Sequence, residues 1–533
     1  MFESLFVLCL VAASGADYAS INLPSEHLSA FFSNNEALRD ECLEDEDCPY
    51  KDYVEETKCW GYEDKCEEER KYLRPECPGD HRGWVKTKAD QGRTFDTQAD
   101  FGYVKQQMKE MMVLCEPMFP DDSSLECSEH LRFCRGRNLM MNFTALAQRD
   151  EPLRYKMDVL KMGEIGGYCD LYQERLNENL DHMSPLQSWA PEMRFFTRLN
   201  ERPIVEGSCD VVIEKPTFIM KIDAIVNMYH HFCDFFNLYA SQHLNATEAG
   251  AFSTDIHILV WETFNYQSAF EATFEAFTEN PIWDLKTFRG RTVCFKNIIF
   301  PLLPRMIFGL YYNTPIIYGC QNSGLFNAFS KHVLHRLRIP QVKRTDAKVK
   351  ITLLSRDTKY RKILNEAELV EALERNEEYS VERVVFNKEI SFKKQLEVIK
   401  NSDVLIGIHG AGLTHALFLP DWAAVFELYN CEDANCYMDL TRLRGLKYVT
   451  WEDDSKLFAE DEGTHPEGGA HAKFTNYSFD VDEFARLVAK AADYVKKHPG
   501  FVESLEGVEY SSVGSAEPIE YDESYDFDLR DEL

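Results

Sequence analysis

From residue 348 onward, short apolar runs alternate with amphipathic stretches at a regular pitch. Lys350 to Leu354 reads as a strand, and Asn365-x-x-Glu368 is a capping box that opens a helix through Leu369, Val370 and Leu373. Val381 to Phe386 is the next strand, after which Phe392, Leu396 and Ile399 recur at helical spacing. A third apolar run, Val404 to Ile408, stops at His409-Gly410-Ala411-Gly412 and resumes as an apolar helix from Leu413. Strands at Ala423 to Leu428 and Leu446 to Trp451 follow, and a last helix opens at Asp480-x-x-Glu483 and carries Phe484, Leu487, Val488, Ala491 and Val495. Strands alternating with helices of this length predict a parallel, doubly wound α/β domain over residues 346–500.

A second alternating stretch precedes it. Strands are predicted at Val211 to Ile213, Phe218 to Ile222, Ile256 to Trp261 and Thr292 to Phe295, giving an α/β domain over residues 181–345. Two such domains in tandem imply a ligand cleft between them. Residues 17–180 are charged, cysteine-rich and without clear periodicity. They predict a helical and loop-rich region stapled by disulfides, with a small independent disulfide module over Cys42 to Cys77 as the alternative.

Composition adds a compartment. Nine of the sixteen cysteines fall between Cys42 and Cys169, which fits an oxidising lumen. No Cys-x-x-Cys occurs, which weighs against a thiol oxidoreductase and against a zinc ribbon. Residues 5 to 13 form an apolar run too short to span a bilayer, followed by Ser14-Gly15-Ala16, so residues 1–16 read as a signal peptide despite Glu3 and the lack of Lys or Arg before the run. Removing Cys9 with it leaves fifteen cysteines, hence at least one free or intermolecular thiol. At the other end, Arg530-Asp531-Glu532-Leu533 is a variant of the Lys-Asp-Glu-Leu retrieval signal, which implies an ER-retrieval receptor as partner and a soluble ER-lumenal protein. It ends an acidic tail over residues 501–533. A net charge of −32 argues against nucleic acid and anionic membrane as partners, and no further apolar run reaches the roughly 18 residues of a membrane span. Sequons at Asn142, Asn245 and Asn476 are compatible with surface glycosylation.

Candidate chemistry gathers at strand ends, where open α/β sheets bind ligands. Gly410 and Gly412, with Ala411 between them and His409 and His415 on either side, let backbone N–H groups approach a diphosphate at a helix start. The guanidiniums of Arg356 and Arg361 follow an earlier strand and can clamp phosphate oxygens. Glu427 ends a later strand, placed for a ribose diol. Each has a duller reading: a tight turn, a surface ion pair, a capping or solvated carboxylate. In the first domain, Asn227, His230 and Asp234 share a helix face, and Asp234 one turn from His230 can orient its imidazole as a general base; a buried pair that only fixes the fold is the alternative. No Gly-x-Gly-x-x-Gly follows a strand, against a nicotinamide enzyme.

The stretches Asn227 to Asp234, Val293 to Lys296 with Leu303 to Met306, Ser355 to Glu366, His409 to His415 and Pro420 to Asp433 resemble glycosyltransferase family 61, in its branch that modifies EGF domains in the ER lumen. The resemblance covers most of residues 40–500. It implies a GT-B-like fold, two Rossmann-type domains facing a cleft, and transfer of GlcNAc from UDP-GlcNAc, with inversion, to Ser or Thr between the fifth and sixth cysteines of folded EGF domains in proteins such as Notch. It also implies Arg356, Arg361, His409, Gly410, Ala411 and Gly412 around the diphosphate, with Glu427 near the uridine. An Asp-x-Asp motif is associated with the family branch, yet the corresponding stretch reads Phe277-Thr278-Glu279-Asn280-Pro281. The expected mechanism is therefore metal-independent, with no resident cofactor. The alternatives are another acceptor or sugar within family 61, or a non-catalytic EGF-binding chaperone.

Overall fold

The computed structural model describes residues 18, 21–56, 58–180, 184–245, 251–264, 266–305, 311, 314 and 317–506. The signal segment, the retrieval tail with Arg530 to Leu533, and Met306 lie outside the described residues. No described helix is long and apolar enough to cross a membrane.

The larger sheet has eleven strands: β1 Met112–Glu116, β2 Ser124–Cys127, β3 Cys134–Asn142, β4 Ile165–Gly167, β5 Asp170–Leu171, β6 Phe196–Arg198, β7 Val211–Ile213, β8 Thr217–Met220, β9 His257–Val260, β10 Trp283–Asp284 and β11 Thr292–Phe300. Its path runs β10-β9-β8-β11-β3-β2-β1-β5, with β10, β9, β8 and β11 parallel and β3 turned antiparallel against β11. The helix-and-loop expectation for residues 17 to 180 is corrected here. Helices such as Lys88–Ala99 and Phe101–Lys109 are present, but β1 to β5 come from the same stretch and join the sheet of residues 196–300. They pair largely among themselves, and the link to the rest of the sheet is distant in sequence: β3 pairs with β11 from Cys134↔Phe300 to Asn142↔Thr292.

Six disulfides staple this half: Cys42–Cys48, Cys59–Cys66, Cys77–Cys320, Cys115–Cys169, Cys127–Cys134 and Cys209–Cys294. Cys233, Cys431 and Cys436 are free thiols.

The second sheet has five strands, all parallel: β12 Val349–Leu354, β13 Tyr379–Val384, β14 Val404–Gly407, β15 Ala424–Glu427 and β16 Lys447–Thr450, in the order β13-β12-β14-β15-β16. Alternate residues feed two cores: Val404 and Ile406 pack with Ile351, Leu353 and Phe484 on one face, while Leu405 and Val425 face the other way. That second face merges with the core of the larger sheet, where Phe232 meets Phe392 and Phe418 at 5.6 and 5.3 Å between ring centroids. Order reverses between β12 and β14, the switch point at which such sheets hold ligands.

Two local readings change. Asn365 does not cap its helix; its side chain bridges the backbone of Phe479 instead, at 2.8 and 3.1 Å. The helix behind the glycine loop is a 3₁₀ helix, Ala411–Phe418.

Candidate active site

Two clusters meet near the switch point. On the β12–β14 side, the chain leaves β14 at Gly407 and turns at Gly410, whose φ of +154° lies in the region that favours glycine. A Cβ there would stand 2.2 Å from Arg356 Nη1 and 3.4 Å from Arg361 Nη1, so both guanidiniums press against this one backbone position. Arg361 donates from Nη1 to the carbonyl of His409 at 3.1 Å, and its own N–H reaches the carbonyl of Thr475 at 2.7 Å. Among the described residues neither arginine has a carboxylate partner, and Arg361 Nε is buried without an acceptor. Burial, then the charge of Arg361, lowers Arg356 to about 10, so it stays protonated at neutral pH. Two adjacent, half-buried cations without a counter-ion are an electrostatic cost that a bound anion removes. Gly412 serves differently: a Cβ on it would meet Leu354 Cδ2 at 2.6 Å, a core contact.

His409 and Glu427 are brought together, but not as expected. Glu427 is fully buried, and its two oxygens accept from His409 Nδ1 at 2.9 Å and from the Tyr448 hydroxyl at 2.5 Å. The end of β15 lies beneath the His409 loop, so the carboxylate fixes the imidazole; a ribose diol would have to displace one of these partners. With Nδ1 donating, His409 Nε2 faces Asp433, whose Oδ2 is 3.7 Å away and accepts from Lys473 at 2.7 Å. Tyr437 packs its ring 5.1 Å from that of His409.

The second cluster sits at the C-terminal end of β8 and on the Met228–Leu244 helix, which Asn227 caps through the N–H of Tyr229. Here the expected pairing is corrected. His230 Nδ1 bonds Asp223 Oδ2 at 2.9 Å, not Asp234, and Arg305 Nε donates to the same oxygen at 2.9 Å. Asp234 pairs with His231 and accepts the backbone N–H of Asp223 on both oxygens, at 3.1 and 3.0 Å. The reason is that the chain between β8 and the helix folds back over the first helical turn, interposing Asp223 between the two side chains. Burial alone raises the Asp223 carboxyl, but the hydrogen bonds from His230 and Arg305 outweigh it and the net shift is downward. Sequence reasoning missed Asp223; the usable signal is an acidic residue just past the end of a parallel strand, followed by a helix cap.

The clusters touch through aromatic rings. Tyr229, beside His230, lies 5.8 Å from Tyr437, which in turn packs on His409. The Phe277 to Pro281 stretch is elsewhere: Thr278 and Asn280 bond the carbonyl of Ile256, just before β9, at the sheet end opposite Asp223. Among the described residues, the one group of three potential metal ligands, Cys59, Glu63 and Cys66, has its thiols joined in a disulfide.

A family model described as Glycosyltransferase 61 matches residues 228–426, a span that runs from the start of the His230 helix to the penultimate residue of β15. A Drosophila melanogaster protein named EGF domain-specific O-linked N-acetylglucosamine transferase is 53% identical, over 90% of this chain and 92% of the relative. Proteins of the same name from Canis lupus familiaris and Xenopus laevis are 51% and 49% identical, over 91% and 90% of this chain and 91% of each relative. At this identity and coverage, the chain belongs to glycosyltransferase family 61.

Proposed function

We propose that this glycosyltransferase moves GlcNAc from UDP-GlcNAc, with inversion, to a Ser or Thr hydroxyl of folded EGF domains in secreted and cell-surface proteins such as Notch, and that it does so in the ER lumen. The observation that carries the donor assignment is the uncompensated pair of Arg356 and Arg361 over Gly410 at the switch point. The names of the relatives support the sugar and the acceptor. Six disulfides support an oxidising compartment.

In this reading the two sheets form a GT-B-like pair with the reaction between them. Arg356 and Arg361 stabilise charge on the leaving diphosphate. His230, oriented by Asp223, takes the proton of the acceptor hydroxyl through Nε2 as its oxygen attacks C1 from the face opposite UDP. Bond making and breaking on opposite faces inverts the anomeric centre. Glu427 accepts from His409 Nδ1 and fixes the ring in the loop that carries Gly410. The guanidiniums supply the positive charge that a divalent cation provides elsewhere, so the reaction is metal-independent.

The test is intact-mass analysis of a folded EGF domain and its reduced form after incubation with a panel of UDP-sugars, with and without EDTA. One added N-acetylhexosamine only with UDP-GlcNAc and folded acceptor, unaffected by EDTA, is expected. No gain with any donor overturns the reading; activity lost to EDTA and restored by manganese overturns metal independence alone.

A further inference from the structure

Behind the His230–Asp223 pair lies a second histidine–carboxyl pair, buried almost completely. His231 is 0% and Asp234 4% exposed. Tyr266 Oη is 2.8 Å from His231 Nε2, His231 Nδ1 is 3.4 Å from Asp234 Oδ2, and both Asp234 oxygens accept from the N–H of Asp223. Asp223 then reaches His230. The result is one continuous hydrogen-bonded chain from Tyr266, in the wall of an open groove of about 970 Å³, to the imidazole proposed as the base.

The two carboxyls of this chain are pushed apart. Asp223 is held down by His230 and Arg305 against its burial, whereas burial and then the charge of Asp223 push Asp234 well up. Burial also drives His231 down to about 3, so it is a neutral imidazole with a single N–H. Negative charge is favoured on Asp223, the member that faces two donors, His230 and Arg305. A protonated Asp234 would donate toward His231 Nδ1, leaving His231 Nε2–H for the Tyr266 oxygen and the carbonyl oxygen of Asp234 for the N–H of Asp223.

We propose that Asp234 is a positioning residue rather than the base: as a neutral acid locked by His231 and Tyr266, it holds the Asp223 backbone and so keeps the Asp223 carboxylate aimed at His230. This rests on the reading of His230 as the base. A carboxamide keeps one oxygen to accept from the N–H of Asp223 and an NH₂ to donate to His231, and gives up only the second branch of the Asp223 N–H bond. The sequence-level alternative, a charged Asp234 that activates His230, has no such surrogate.

The experiment measures kcat, KM for UDP-GlcNAc and thermal midpoint of the full chain acting on a folded EGF domain. Asp234→Ala is expected to lower kcat by about 10- to 100-fold with little change in KM. Asp234→Asn is expected to recover most of that loss. Tyr266→Phe, which strands the His231 N–H, is expected to lower kcat several-fold at unchanged KM. Asp234→Asn as inactive as Asp234→Ala, or Asp234→Ala with wild-type kcat, overturns the proposal. If Asp234→Ala does not fold, wild-type kcat in Tyr266→Phe overturns it. His230→Gln, assayed alongside, separates the two levels: wild-type turnover there removes the base assignment itself, while an inactive His230→Gln beside an unaffected Tyr266→Phe removes only the positioning role.

Discussion

Gly410 and Gly412 are two residues apart and do different work. Gly410 has φ +154° and a guanidinium where its side chain would be, whereas Gly412 has the side chain of Leu354. Gly410→Ala is therefore expected to displace Arg356 and weaken UDP binding by about tenfold or more, the scale on which charged hydrogen bonds to phosphate act. Gly412→Ala is expected to overpack the core, at a cost of about 1–3 kcal/mol. Calorimetric titration with UDP and thermal melts on both variants check the contrast; equal losses of affinity would contradict it. Both glycines were legible in the sequence as a close-approach loop, but their division of labour was not, because it depends on what β12 brings beside them. Glu427 shows the same limit. Its place at a strand end was legible, whereas the occupation of its two oxygens by His409 and Tyr448 depends on neighbouring loops and strands.

At the scale of elements, β12, β14 and β15 were readable because central parallel strands buried on both faces leave near-continuous apolar runs, and the half-exposed edge strands β13 and β16 were readable from the pitch of the alternation. The strands β1 to β5 were not, since β2 and β3 carry Glu126, Arg135 and Arg137 among their apolar residues and β3 is held in the sheet by β11, far away in sequence. The cysteine-rich half is instead tied down by cross-links of very different reach. Cys77–Cys320 closes 243 residues and anchors the chain just ahead of the Gly324–Arg336 helix, whereas Cys42–Cys48 spans 6. Restriction of the unfolded chain grows with loop length, so Cys320→Ser with Cys77→Ser is expected to cost about 2–5 kcal/mol, and the Cys42, Cys48 double serine variant less. Denaturant unfolding of the two variants measures this, and a larger loss from the short loop would contradict it.

Across the whole molecule, the Met228–Leu244 helix joins the two halves. Its Phe232 packs on Phe392 and Phe418 of the second sheet's helices, and its first turn sets Tyr229 against Tyr437 while His230 turns back to Asp223. A pairing of His230 with Asp234 was the natural reading of helical spacing. The fold overrides it because the segment after β8 passes between them, a feature no periodicity encodes. What results is a division of roles, with cations on one side for the donor and a histidine–aspartate pair on the other for the acceptor. Measuring UDP affinity and turnover on the same two variants tests that division most directly. Arg356→Gln is expected to raise the Kd for UDP by about tenfold or more, and His230→Gln to leave that Kd unchanged while lowering kcat by about 100-fold or more. Full turnover by His230→Gln, or unaltered UDP affinity in Arg356→Gln, would contradict the account.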